Sequence, residues 1–294
     1  MPVTNGSEVS WRQLLGNVEA QLKDANEARW ICEHASGYDR DEFLAILDDH
    51  VTVAMATNVQ RMLARRLGGE PLQYVMRRWS FRHLDVMVDE RVLIPRPETE
   101  QVVEVALRLA RQKRPSKSDP LNIVDLGTGS GVIGLSMASE LPLGSVAIWL
   151  TDISENAIHV ARANLAGIGR AAEHVRVVQG SWFDALPVSL RGGIDLTVCN
   201  PPYIADGDEQ VAQDVNKYEP QVALYSGLDG LDALRQIVSG ASQWLAVGGW
   251  LVTEIGYEQG NPVSELLDRA GFADIEIIKD LAGRPRIACG QRKI

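Results

Sequence analysis

The residues of this chain best suited to bond making are Asn200-Pro201-Pro202-Tyr203, which follow the strand-like run IDLTV. Two consecutive prolines fix φ and remove two N–H donors, so the backbone there is stiff and offers carbonyls rather than amides. The Asn200 side-chain carbonyl and the Pro201 main-chain carbonyl can together accept both hydrogens of an NH2 group, and the Tyr203 ring offers a flat wall for a planar substrate. Such a corner suits methyl transfer to a conjugated nitrogen. The lone pair of an amide or arylamine is delocalised, and methylation places positive charge on the nitrogen. Two acceptors aimed at its hydrogens stabilise that charge, the reverse of an oxyanion hole. An activated methyl donor then needs mainly in-line positioning. Without such chemistry, the four residues make only a rigid turn after a strand.

A second constellation lies upstream. The run NIVDL ends in Gly127-Thr128-Gly129-Ser130-Gly131 and a helix-like run follows at once, so the backbone can approach a ligand at a helix N-terminus. Because 129–134 also satisfies G-x-G-x-x-G, this loop alone fits NAD(P) as well as S-adenosyl-L-methionine. Asp152 ends the next strand, where a carboxylate can accept hydrogen bonds from both ribose hydroxyls; the competing reading is a helix cap before Ser154. Trp182 follows the third strand and can lie against an adenine or serve as a core aromatic. The acceptor corner tips the loop toward S-adenosylmethionine.

These residues need a sheet to hold them. From Leu121 onward, apolar strands alternate with helical stretches, which predicts a doubly wound α/β domain over about 97–294 with a mostly parallel sheet. Residues 1–70 carry apolar residues at three- and four-residue spacing and predict a small helical domain. Between them, 71–96 is expected to form a β-hairpin linker, its strands WSFRHLDVMV and RVLI joined at Asp89-Glu90. With 45% hydrophobic and 23% charged residues in a chain of 294, disorder is excluded and a large core expected. Three widely separated cysteines, Cys32, Cys199 and Cys289, argue against a disulfide framework or a structural metal. The start MPVTNGSEVSW has no leader-like pattern and no apolar run is long enough to span a bilayer, so a cytoplasmic protein is expected.

The net charge is −10, of which −8 lies beyond residue 96, and this argues against tight non-specific nucleic-acid binding. The stretch from Arg61 to Arg82 runs against that balance, with six arginines (Arg61, Arg65, Arg66, Arg77, Arg78, Arg82) and one acid, Glu70; it reads either as a solvated face or as a surface that steers an acidic partner.

At these motifs the chain resembles the class I S-adenosylmethionine-dependent methyltransferases, and more narrowly the release factor glutamine methyltransferase (PrmC/HemK) family. GEPLQY (69–74), LIPRPETE (93–100), GSWFDAL (180–186), YEP (218–220) and DLAGRPR (280–286) carry the narrower resemblance. It implies that Gly127, Thr128, Gly129, Ser130, Gly131, Asp152, Trp182 and Asn200 contact S-adenosylmethionine. It also implies that Asn200, Pro201, Pro202 and Tyr203 hold the glutamine of the Gly-Gly-Gln loop of peptide chain release factors. One departure is Arg77, where the family pattern has glycine. Adenine-N6 methylation and ribosomal-protein glutamine methylation use a similar corner and stand as alternatives, as does a non-catalytic S-adenosylmethionine-binding scaffold.

Overall fold

Polar caps start the first helices and apolar stripes hold them together. In the computed structural model, which describes residues 9–293, Ser10, Asp24, Asp39 and Thr52 accept main-chain N–H groups at the starts of α1 (Trp11–Leu22), α2 (Ala25–Ser36), α3 (Arg40–Ala45) and α4 (Val53–Leu67). Trp11, Leu14 and Val18 of α1 meet Ile31 of α2, Phe43 of α3 and Val59 and Leu63 of α4 in one buried cluster. The stretch read above for a leader includes residues 1–8, which lie outside the described residues.

The chain forms two compact units, one reaching to Arg77 and one starting at Arg78. This shifts the expected boundaries. Pro71 does not lead into a strand but starts a short helix, α5 (Leu72–Met76), which buries Leu72, Tyr74 and Val75. The hairpin, expected as a separate linker over 71–96, is β1 (Trp79–Phe81) and β2 (Leu84–Val86) and belongs with the second unit. Its turn is Arg82-His83 rather than Asp89-Glu90. RVLI is not a strand; Asp89 and Arg91 pair with each other there, and Val92 and Ile94 are buried. Arg82 pins the turn to the rest of the unit through both carboxylate oxygens of Glu140, at 2.6 and 2.7 Å, and through Glu104 and the Glu100 main chain.

The arginine-rich stretch lies at the surface, but most of its side chains are already paired. Arg65 holds Glu70 and the Tyr74 and Val75 carbonyls, Arg66 holds Glu27, and Arg78 holds Asp85. With Arg82 this makes four of the six side chains fasteners of their own unit, so their charge is already balanced locally.

In the second unit α6 (Pro97–Gln112) precedes an alternating series: β3 (Leu121–Leu126), α7 (Val132–Glu140), β4 (Val146–Asp152), α8 (Glu155–Gly167), β5 (Val175–Gln179), β6 (Ile194–Cys199), α9 (Gln213–Tyr218), α10 (Asp232–Trp244), β7 (Leu245–Glu254), α11 (Gly260–Arg269), β8 (Phe272–Lys279) and β9 (Pro285–Arg292). The sheet order is β5-β4-β3-β6-β7-β9-β8. Strands β3 to β7 pair in parallel, and β9 runs antiparallel to both of its neighbours. Both sheet faces are covered, one by α6, α7 and α8 and the other by α10 and α11, as near-continuous apolar strands require. The chain winds outward from β3 through β4 to β5, then returns to β6 on the other side of β3. The reversal leaves a crevice beyond the carboxyl ends of β3 and β6, where open α/β sheets bind ligands. Among the described residues no helix is long and apolar enough to cross a membrane.

The Arg77 departure has a local explanation. Arg77 caps α5 in the left-handed conformation, φ 56°, which glycine adopts without the steric penalty of a Cβ. Its side chain is exposed. Replacing Arg77 with glycine should therefore raise stability by about 1 kcal/mol, after allowance for the freer unfolded chain. Thermal denaturation checks this: the variant should melt at a higher Tm, and an equal or lower Tm would show that the arginine carries no strain.

Candidate active site

The glycine loop leaves β3 at Leu126 and is held from three sides. Asp125, buried in the last turn of β3, accepts the Thr128 hydroxyl at 2.6 Å and the Gly134 N–H at 3.0 Å through Oδ2. It thereby supplies the acceptor that Gly131, the side-chain-less cap of α7, lacks. Burial raises the Asp125 pKa to about 6 against the pull of those two hydrogen bonds. Asn164 of α8 donates to the Ser130 carbonyl at 2.8 Å while exchanging both possible hydrogen bonds with the Met87 main chain, so the segment after the hairpin and the loop share one anchor. Asp152 accepts the Gly129 N–H through Oδ2 and the Ser154 N–H through Oδ1, both at 2.9 Å. It is not the helix cap: Ser154 caps α8 through the Ala157 N–H. Burial raises the Asp152 pKa, opposed by these backbone bonds.

Trp182 sits in a tight turn at φ 43°, and its ring edge lies 3.2 Å from the position a Cβ at residue 127 would take. Any other residue at Gly127 would have to displace the ring. Loop, carboxylate and indole all face a cavity of ≈ 380 Å³, within the usual size of small-molecule sites. Each Asp152 oxygen retains a lone pair beyond its one backbone bond, so the carboxylate can still accept ribose hydroxyls. This donor and acceptor set fits an adenosyl group.

Beyond β6 the same cavity meets Asn200. Its amide orientation follows from a short hydrogen-bond chain. With Glu254 ionised, the Thr99 hydroxyl donates its only proton to Glu254 Oε2 at 2.7 Å, so its oxygen can only accept from Asn200, and the Asn200 Nδ2 donates to it at 3.2 Å. Oδ1 is therefore the end of the amide left for the cavity. Glu254, 1% exposed at the end of β7, also accepts the Tyr203 hydroxyl at 3.3 Å. Burial first, and then the nearby Glu254 carboxylate, hold the Tyr203 phenol above its usual pKa. The main chain of the corner is fastened separately: Gln259 donates to the Tyr203 carbonyl at 2.9 Å while its own Oε1 accepts the Gly256 N–H.

Of the residues singled out from sequence, Gly127, Thr128, Gly129, Ser130, Asp152, Trp182, Asn200 and Pro202 line this one cavity. Gly131, Pro201 and Tyr203 stand behind it: Gly131 starts α7 beneath Leu135, Pro201 is buried, and Tyr203 points its hydroxyl at Glu254 instead of offering the expected flat wall. Residues 91–95 and 220–226 contribute further walls. They are latched by buried Glu219, which accepts the Ile94 N–H at 3.1 Å and the Arg96 guanidinium at 2.5 Å, joining the LIPRPETE and YEP motifs. Sequence reading missed Thr99 as a functional residue, although it lies within LIPRPETE, and missed Glu254, Asn164 and Gln259. For Glu254 a signal was present: a carboxylate closing the otherwise apolar run WLVTE.

Comparison with known proteins agrees with this geometry. The methyltransferase small domain family matches residues 109–218, and the PrmC N-terminal domain family matches 13–76, ending one residue before the boundary between the two units. The release factor glutamine methyltransferase of Neisseria gonorrhoeae is 38% identical over 266 residues, 90% of this chain and 92% of its own. That of Burkholderia pseudomallei is 38% identical over 99% of both chains. Among solved structures, the N-terminal domain of human METTL16 in complex with SAH aligns with a TM-score of 0.52 at 16% identity, covering 81% of this chain and 82% of that one. A methyltransferase from Pyrococcus furiosus aligns at 0.51 and 18%, covering 79% and 98%. These two share the fold. The two close relatives match across both units and nearly their whole length, and the chain belongs to the release factor glutamine methyltransferase family.

Proposed function

We propose that the chain transfers a methyl group from S-adenosyl-L-methionine to the side-chain nitrogen N5 of the glutamine in the Gly-Gly-Gln motif of peptide chain release factors. The observation that carries this reading is the orientation of Asn200, which leaves a fixed acceptor, Oδ1, facing a cavity whose other end fits an adenosyl group. A primary amide offers that acceptor a hydrogen, and family membership favours a glutamine amide over an adenine amino group.

S-adenosylmethionine, when bound, supplies a sulfonium-activated methyl group. The chain's residues supply the rest. The Asp152 carboxylate accepts the ribose hydroxyls, the loop 127–130 admits the cofactor against its bare backbone, and Trp182 flanks the adenine. Asn200 Oδ1 accepts one hydrogen of the substrate NH2 and, once the amide enters as far as the wall behind which the Pro201 ring is buried, the Pro201 carbonyl accepts the other; this holds the nitrogen in line and stabilises the positive charge that develops on it. Proline at 201 and 202 keeps the Pro201 carbonyl in place, Thr99 holds the Asn200 amide, and Gln259 anchors the turn just beyond. The helical unit ending at Arg77 has its own core and serves in this reading as the docking surface for the protein substrate, since a glutamine side chain alone buries too little for specificity.

Incubation with S-adenosylmethionine and an intact release factor, followed by tandem mass spectrometry, should place one methyl group on the Gly-Gly-Gln glutamine. A factor with that glutamine replaced should remain unmodified, as should bulk nucleic acid. Methylation of nucleic acid alone, or of a different residue, would overturn the assignment.

Two substitutions should separate chemistry from cofactor binding. Asn200→Ala should lower kcat by roughly 10²- to 10³-fold with a smaller effect on cofactor affinity. Asp152→Ala should weaken S-adenosylmethionine binding about tenfold or more in calorimetry, through loss of charge-assisted hydrogen bonds. Normal turnover in the first, or normal affinity in the second, would remove that residue from its role.

A further inference from the structure

A carboxylate in the apolar end of a strand is expensive to keep charged, and Glu254 is 1% exposed. Its oxygens are nevertheless both engaged, Oε2 by Thr99 and Oε1 by Tyr203. It does not itself line the cavity, but it ends the chain that begins at Asn200. The direction of that chain depends on where one proton lies. With Glu254 ionised, every bond points toward it: Asn200 N–H to Thr99, Thr99 O–H to the carboxylate. With Glu254 protonated, its own O–H can donate to Thr99, whose hydroxyl then turns to donate to the Asn200 amide. That amide must flip to present Oδ1 to Thr99, and its NH2 then faces the cavity. A donor opposite a substrate NH2 repels it, so the reversed chain cannot hold the reacting nitrogen.

We propose that ionised Glu254 is a positioning residue, which acts through Thr99 to lock the Asn200 acceptor toward the reacting nitrogen and places a buried negative charge behind the site where positive charge develops. The inference rests on the glutamine-methylation reading above and adds to it a residue outside the acceptor motif. Cooperative polarisation along a buried chain strengthens the effect, because the carboxylate draws the Asn200 N–H toward itself and enriches Oδ1 as an acceptor. The charged and titratable groups around Glu254 are Glu98 on α6, Cys199 at the end of β6, Tyr203 in the turn beyond it, and Arg286 on β9, with Arg96 acting on Tyr203. Burial and Glu98 push the carboxyl up and Arg286 pulls it down, leaving Glu254 at about 7. The proton that decides the chain's direction is thus exchanged near neutrality.

The test combines kinetics with a readout that needs no substrate. Glu254→Gln keeps the size of the side chain and removes the charge. It should lower kcat for a release factor roughly 10- to 100-fold while KM and cofactor affinity stay within about twofold. Wild-type kcat should rise between about pH 6 and 8, and the rise should be absent from this variant. Thr99→Val should fall similarly, and Thr99→Ser, which restores the hydroxyl, should recover most of kcat. In parallel, the Asn200 side-chain amide is followed by 15N-resolved NMR across the same pH range in the cofactor-free protein. Its signal should titrate near neutrality in the wild type and stay flat in both Glu254→Gln and Thr99→Val. A wild-type signal that does not titrate, or a Glu254→Gln variant with unchanged kcat and pH profile, overturns the proposal. A signal that titrates as expected in a protein that methylates no release factor would support the orientation by Glu254 and defeat the substrate assignment instead.

Discussion

The return of the chain from β5 to β6, across the starting strand β3, is the constraint on which the site depends. Two parallel neighbours whose connections leave in opposite directions cannot cover the space beyond their carboxyl ends, and that space is the cavity. Everything functional is a consequence of which residues end those strands. Leu126 hands over to the glycine loop, Cys199 hands over to Asn200, and the register Leu126↔Cys199 puts the two exits side by side. The next strand on each side adds a carboxylate, Asp152 from β4 and Glu254 from β7. One grips the glycine loop and the other grips the acceptor corner, so the two halves of the cavity are held by mirror-placed acids.

Those acids carry a cost in stability. Asp125 at about 6, Glu254 at about 7 and Asp152, also raised, all keep their protons in the folded chain at pH values where an unfolded chain has released them. The folded state then binds more protons, so through these groups stability is full at acid pH and declines as pH rises from the ordinary carboxylate range through the raised values. A well-packed apolar substitute would avoid this decline. What offsets it locally is the set of N–H and O–H donors aimed at each carboxylate, and those donors belong to the glycine loop, Thr99 and Tyr203, the parts that must be held still.

Much of this was legible in the sequence, for identifiable reasons. The alternation of strands and helices is a local pattern, and so is the placing of the glycine loop, Asp152 and the N-P-P-Y corner at strand ends. The hairpin was misplaced because WSFRHLDVMV reads as one apolar run, whereas its turn at Arg82-His83 is fixed by Glu140 and Glu104, 58 and 22 residues away in the chain. The arginine-rich stretch looked like unpaired charge for the same reason: Arg66 finds Glu27 across 39 residues. Glu254 and Thr99 are 155 residues apart, and no spacing rule joins them. Tyr203 was expected to be a wall because its motif was read alone; the partner for its hydroxyl comes from another strand.

The proposed chemistry requires Asn200 Oδ1 to meet a primary amide at the far end of a cavity that takes an adenosyl group. A crystal structure with S-adenosylhomocysteine and a release factor domain bearing its Gly-Gly-Gln loop addresses it most directly. The ribose hydroxyls should lie on Asp152 and the glutamine nitrogen within hydrogen-bonding distance of both Asn200 Oδ1 and the Pro201 carbonyl, with Asn200 Nδ2 still on Thr99. A glutamine held elsewhere, or an Asn200 amide turned with its nitrogen toward the substrate, would contradict it.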